Sequence, residues 1–232
     1  MTSIAIFGAT GLTGSHLVQQ AIDDSSINQI VVFTRRPLPL KHPKLIEKIV
    51  NFADLTEHHR DLAVDTVYCC LGTTIKKAGS KAKFRHIDID LVEQVGQAAK
   101  QAGAKQFVVI SSQGASEKSW FFYSRSKAEM ENKLSALFHN SGCQLIICQP
   151  SLLLGERNES RSAEDFGIKM NHYLSWCWRG RLKNYQPIFA SDLAGAMLSL
   201  AKACKVPRMI VNNRNLHQVV ATANQSHHGK GR

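Results

Sequence analysis

The sequence predicts an α/β domain built on a doubly wound parallel sheet. Three observations point to it. Short, β-rich apolar runs recur as far as Pro150. Longer segments with apolar residues at helical spacing lie between most of them. The strand runs are almost continuously apolar, as strands are when helices cover both faces of a sheet. Strands that alternate with helices in this way make βαβ units.

The first strand is "IAIF", the turn after it is "GATGLTG", and the helix that follows is "SHLVQQAI". In that position the glycines have separate uses. Gly8 permits a tight turn, Gly11 permits close backbone approach to a pyrophosphate, and Gly14 permits close helix–strand packing. The helix N-terminus presents unpaired N–H groups and the positive end of its dipole to the phosphates. Gly8, Thr10, Gly11, Leu12 and Gly14 are therefore the candidate phosphate cradle of a Rossmann-type nucleotide site.

The second strand, "QIVVFT", ends in Thr34, Arg35 and Arg36. An NAD site of this kind usually places Asp or Glu there, on the ribose 2′-OH. Two guanidiniums suit a 2′-phosphate instead, through charge and forked donors. NADP(H) is thus expected ahead of NAD(H). The strands "KIVNF", "TVYCCLG", "QFVVISS" and "QLIICQP" follow, with helices "IDIDLVEQVGQAAKQAG" and "RSKAEMENKLSALFHNSG" among them. Gly103 and Gly142 sit just past these helices, where a left-handed cap is wanted. His86, Asp88 and Asp90 are placed at the start of a helix, where acidic residues suit the dipole and need no further role.

After Pro150 the rhythm weakens. "LGERNESRSAEDFG" reads as a polar loop, whose Glu156, Arg157, Glu159 and Arg161 pair with one another or grip an anionic substrate. "IKMNHYLSWCWRG" reads as a helix, with Trp176 and Trp178 packing a lobe. "ASDLAGAMLSLAKAC" reads as another, capped by Ser191 or Asp192. The whole chain, 1–232, is one domain, in which 151–232 contribute a small C-terminal substrate lobe and a basic tail. The tail's end, "NQSHHGKGR", is polar and expected to fray.

Composition narrows the function classes. The 232 residues are 44% hydrophobic and 20% charged, which fits a globular protein. No apolar stretch reaches the ~18 residues of a membrane span, and the start lacks the basic region of a secretory signal, so a cytoplasmic protein is expected. The formal net charge is +11, but all six Lys and Arg residues after Asp192 are uncompensated by acids. No aromatic residue interleaves with them, so a solvated tail is favoured over a nucleic-acid site. The six cysteines show no C-x-x-C pair and no zinc-ligand spacing, and are expected to be buried and reduced. No metal is expected.

At this point the motifs resemble those of the short-chain dehydrogenase/reductase superfamily. "GATGLTG" has the G-x-x-G-x-x-G spacing of its extended and atypical branches, "VVISSQGAS" is similar to its serine-bearing strand, and Tyr123 to Lys127 match its Y-x-x-x-K motif. "CCLGTT", "SSQGAS", "YSRSK", "PSLLLGERNESR" and "PIFASDLAGAM" resemble, in order, the Tat-interacting-protein-like oxidoreductases and their bacterial relatives. The resemblance implies a Ser-Tyr-Lys site. Tyr123 would be the proton donor or acceptor, Lys127 would lower its pKa and hold the nicotinamide ribose, and Ser112 would bond the substrate oxygen, with Ser111 as the alternative. Being four apart, Tyr123 and Lys127 share one face if that stretch is helical.

The resemblance also implies cofactor contacts from Asp54 and Leu55, from Leu71, Gly72 and Thr73, and from Pro150, Ser151 and Leu152. Two departures stand out. The N-A-G motif of the superfamily is replaced by "CLGTT", and no asparagine completes its usual proton relay. The short lobe argues against a large nucleotide-sugar substrate. The reading that results is an NADP-dependent oxidoreductase of a small carbonyl or alcohol. The alternatives are an NADPH sensor acting through a protein partner, and a nucleotide-dependent epimerase. A homodimer or a protein partner is compatible with either.

Overall fold

The computed structural model describes residues 2–52, 61–155 and 184–228. Its elements run β1 (Thr2–Phe7), α1 (Leu12–Asp23), β2 (Ile27–Thr34), β3 (Leu45–Ile49), β4 (Thr66–Cys69), α2 (Ile75–Ala78) and α3 (Lys81–Arg85). A single π turn, His86–Asp90, joins α3 to α4 (Leu91–Gln101). Then come β5 (Gln106–Ile110), α5 (Phe122–Phe138), β6 (Gln144–Gln149), β7 (Leu153–Leu154), β8 (Ile188–Phe189), α6 (Ala190–Ala203), β9 (Arg208–Asn212) and α7 (Asn213–His228).

Seven strands form one sheet in the order β3-β2-β1-β4-β5-β6-β9, and every pairing in it is parallel. The fold is the expected Rossmann-type α/β sheet. Successive side chains of a strand point to opposite faces, and both faces are apolar here. On one face Ile4, Ile6, Ile30, Val32, Val108 and Ile146 pack with Leu17, Ala21, Leu193 and Met197 of α1 and α6. On the other, Ala5, Phe7, Val31, Phe33, Phe107 and Ile147 pack with Val92, Val95, Met130 and Leu134 of α4 and α5. Those two buried faces are why the strand sequences carry no polar alternation.

Gly103 and Gly142 adopt φ of 75° and 77°, as helix exits require. Beyond α4 the Ala104 and Gly103 N–H groups bond the Ala99 and Lys100 carbonyls, which closes the helix in a Schellman turn.

Several expectations change beyond Pro150. Part of the span given to the lobe belongs to the sheet itself. Arg208–Asn212 pairs with β6 over five residues as an edge strand, and α6 lies against α1 through a 2.9 Å bond from the Gln20 amide to the Ser191 carbonyl. Residues 156–183 of the proposed lobe, with Glu156, Arg157, Glu159, Arg161, Trp176 and Trp178, lie outside the described residues. The helix α7 extends to His228, into the stretch expected to fray. The α6 cap is Phe189 rather than Ser191 or Asp192, since β8 leads directly into the helix at Ala190.

Among the described residues no helix is long and apolar enough to cross a membrane, and no cluster of His, Cys, Asp or Glu is arranged to hold a metal ion. Cys69, Cys143, Cys148 and Cys204 are buried free thiols and Cys70 is half-buried. Burial pushes the thiols of Cys143 and Cys148 up to about 12. Cys177 lies outside the described residues.

Candidate active site

The chain reverses its direction of travel across the sheet between β1 and β4, so a crevice opens beyond the carboxyl ends of these neighbours. The glycine turn occupies it. Gly8 has φ +80°, and a Cβ there would lie 2.6 Å from the Cys70 carbonyl oxygen. A Cβ on Gly14 would collide with the Gly8 carbonyl oxygen, so α1 packs directly on the turn. The Gly11 N–H bonds that same carbonyl at 2.9 Å. Gly11 and Thr10 are exposed and Leu12 is half-buried. No side chain caps α1, and its first turn holds no acidic residue. An uncapped helix N-terminus above a turn stripped of side chains fits a pyrophosphate. Beyond β7 the chain returns to this place, where a Cβ on Gly155 would meet the Leu12 side chain at 3.0 Å.

At the end of β2, the buried Thr34 hydroxyl donates to the Arg36 carbonyl at 2.6 Å and accepts the Arg36 N–H at 3.2 Å. This small turn leaves Arg35 and Arg36 exposed, with no ion pair among the described residues. Asp54 and Leu55 lie outside the described residues.

Tyr123 and Lys127 both fall on α5, one turn apart. Tyr123 is 38% exposed, and its ring packs on Phe84 of α3 with centroids 5.8 Å apart. Lys127 is only 4% exposed. Its Nζ lies 2.7 Å from Oδ1 of Asp88, which is itself 1% exposed. Burial disfavours the Lys127 ammonium, but the Asp88 carboxylate, aided by Tyr123 and Cys69, outweighs it and holds the lysine above its ordinary value.

The serine pair divides. The Ser111 hydroxyl is buried and donates to the Glu131 carboxylate, which also accepts the Gln149 amide at 2.9 Å. Ser112 is half-buried, and its hydroxyl makes a 3.3 Å bond to the Gln113 carbonyl. Of the two, Ser112 is therefore the hydroxyl not committed to a carboxylate.

The turn after β4 meets the same group. The Thr73 N–H donates to Oδ2 of Asp88 at 2.8 Å, beside half-buried Leu71 and exposed Gly72. On the other side, the carbonyl of buried Pro150 accepts the Gln113 N–H at 2.8 Å. Ser151 donates its N–H to Asn213 at 2.9 Å and its hydroxyl to the Gln186 carbonyl at 2.5 Å. Leu152 is exposed. The roles of two of these partners escape the sequence reading, as do two exposed aromatic side chains. Asp88 is not at a helix start but in the π turn, because the helix begins at Lys81 under a Ser80 cap. Asn213, fully buried, ties the Ser151 loop to the end of β9. Trp120 and Phe121, 96% and 75% exposed, precede the Tyr123 turn, and adjacent large aromatics before the Y-x-x-x-K spacing were the available signal.

Residues 8–170 match the model of a family described as NAD(P)H-binding. The chain is 34% identical over 220 residues to "Protein FMP52, mitochondrial" of Lodderomyces elongisporus, covering 86% of this chain and 87% of that one. It is 33% identical over 180 residues to "Protein HTATIP2" of Rattus norvegicus, covering 76% and 73%. Among solved structures, it resembles MoeE5 in complex with UDP-glucuronic acid and NAD, with a TM-score of 0.69 at 18% identity over 90% of this chain and 75% of that one. It also resembles a UDP-galactose 4-epimerase, with a TM-score of 0.68 at 16% identity over 90% and 76%. At these identities the structural likeness speaks for the fold.

Proposed function

The chain belongs to the NAD(P)H-binding family, within the short-chain dehydrogenase/reductase superfamily, and from that premise we propose that it is an NADP-dependent oxidoreductase of a small carbonyl or alcohol. The observation that carries the proposal is the pairing on α5 of a buried, charged Lys127 with a half-exposed Tyr123. A structural lysine has no reason to be buried one turn from an accessible phenol.

When bound, the nicotinamide supplies or accepts the hydride. The chain's own groups do the rest. The amides at the start of α1 hold the pyrophosphate, and Arg35 and Arg36 take the 2′-phosphate. In reduction, the Tyr123 hydroxyl gives its proton to the substrate oxygen and becomes a phenolate. In oxidation, the phenolate takes that proton back. Lys127, one turn further along α5, is the cation that serves this exchange. The Ser112 hydroxyl donates to the substrate oxygen as negative charge grows on it. Trp120, Phe121 and Leu152 are exposed apolar side chains that suit a substrate with an apolar body.

The test is consumption of NADPH with a panel of aldehydes and ketones, and of NADP⁺ with the matching alcohols. Turnover with at least one class is expected, with NADPH preferred to NADH. Tight NADPH binding with no turnover across the panel would replace the enzyme by the sensor reading.

A further inference from the structure

We propose that Asp88 is a positioning residue of this site, fixing the Lys127 ammonium between the turn after β4 and the Tyr123 face of α5. The inference rests on the Ser-Tyr-Lys reading and adds to it the group that makes the lysine usable.

The backbone is shaped for this task. Between α3 and α4 the helix widens into one π turn, closed by the Leu91 N–H on the His86 carbonyl. A π turn inserts a residue and redirects side chains, and such turns gather at functional sites. Here it aims Asp88 inward while His86 and Asp90 stay at the surface, 3.8 Å from each other. Asp88 then spends its two oxygens on two different elements, Oδ2 on the Thr73 N–H at 2.8 Å and Oδ1 on Lys127 Nζ at 2.7 Å. One carboxylate thus sets the spacing between the β4 turn and the lysine, two segments placed on the cofactor's path by the reading above.

A buried ion pair rarely adds stability over apolar packing, because desolvation offsets the attraction. The arrangement makes sense if the charge itself is needed. Among the described residues, the other ionisable groups near Lys127 are few. Tyr123 is one turn before it and Cys69 ends β4. Glu131, one turn after it, is engaged by Ser111 and Gln149. Arg85 on α3 is held by a bidentate pair with Glu129 at 2.6 Å. Asp88 is thus the carboxylate that keeps the lysine protonated. Without it, burial is opposed by Tyr123 and Cys69 alone, and the ammonium loses its proton at lower pH.

The experiment follows Lys127 directly, with no nucleotide present. Protein carrying ¹³Cε-lysine is titrated by NMR, and the Lys127 signal is assigned by its loss in Lys127→Met. In the unmodified protein the Lys127 inflection is expected above the ordinary lysine value of about 10.4. In Asp88→Asn, which keeps the shape and removes the charge, it should fall by one unit or more, about a tenfold loss of proton affinity. Asp88→Glu should restore most of it. NADPH titrations should agree, Asp88→Asn losing affinity between neutral and alkaline pH more steeply than the unmodified protein. An inflection at or below 10.4 in the unmodified protein overturns the proposal even if no variant folds. So does an unchanged inflection in Asp88→Asn. The Ser-Tyr-Lys reading fails separately, through unimpaired turnover of Tyr123→Phe, a result that leaves the Lys127 titration untouched.

Discussion

A methyl group added at Gly14 would strike the Gly8 carbonyl oxygen, whereas one added at Gly11 would stand 3.1 Å from that atom with solvent beyond. The two glycines therefore fail differently. Gly14→Ala should lower stability by about 1–3 kcal/mol, the usual cost of overpacking, seen as an earlier unfolding midpoint in denaturant. Gly11→Val should leave that midpoint nearly unchanged and abolish NADPH binding in calorimetry, because its branches fill the space above the α1 N-terminus. On the proposed reading, Arg35 and Arg36 carry the choice between cofactors. Replacing both by Ala should erase most of the preference for NADPH over NADH, measured as the ratio of the two dissociation constants. Equal affinities in the unmodified protein would remove the 2′-phosphate assignment. The glycine turn was legible because its residue types have backbone causes. Asp88 was not, because an acid near an apparent helix start has a sufficient surface explanation. Only the earlier Ser80 cap and the π turn reveal that it faces inward.

The elements divide by how much of each is buried. β1, β2, β4, β5 and β6 lie inside the sheet, and their uninterrupted apolar runs announce them. β9 is an edge strand in which Val211 is the one buried residue, so "RMIVN" carries little pattern. α7 opens at Asn213 directly after β9, without the polar loop that marks a new helix in sequence. At the opposite end of the sheet from the site, Asp65 joins three strands. It accepts the Ser3 N–H at 2.8 Å and pairs with Lys105 at 2.7 Å, while its carbonyl accepts the Gln106 N–H at 3.0 Å. The Lys105 ammonium and the Ser3 N–H, against some desolvation, hold its carboxyl down at about 2. A carboxylate whose folded pKa lies below its unfolded value stabilises the fold above the unfolded value, and the effect is lost as pH falls toward the folded one. Asp65→Asn should therefore cost about 1–2 kcal/mol at neutral pH, discounted for partial exposure. Urea unfolding should show the gap between the two proteins closing as pH falls from 3.8 toward about 2. A gap independent of pH would mean that the carboxylate's charge is not what joins the strands.

Across its described residues the molecule is a sheet insulated on both faces, with the candidate site at the carboxyl ends of β1, β4 and β5. That layout separates the packed core from the candidate site. A ligand binding the native state alone stabilises it by mass action. NADPH at a hundredfold its dissociation constant should therefore add about 2.7 kcal/mol to unfolding, read as a raised thermal midpoint. The central claim is that Tyr123 moves the proton. Tyr123→Phe removes one hydroxyl from a side chain already packed on Phe84, so the fold and the NADPH affinity should persist. The measurement is NADPH oxidation by this variant and by the unmodified protein on a substrate the latter accepts, with cofactor affinity determined alongside. The account predicts a fall in turnover of roughly 10²–10⁴ with unchanged affinity, the usual worth of a positioned acid. Full turnover in Tyr123→Phe would contradict it.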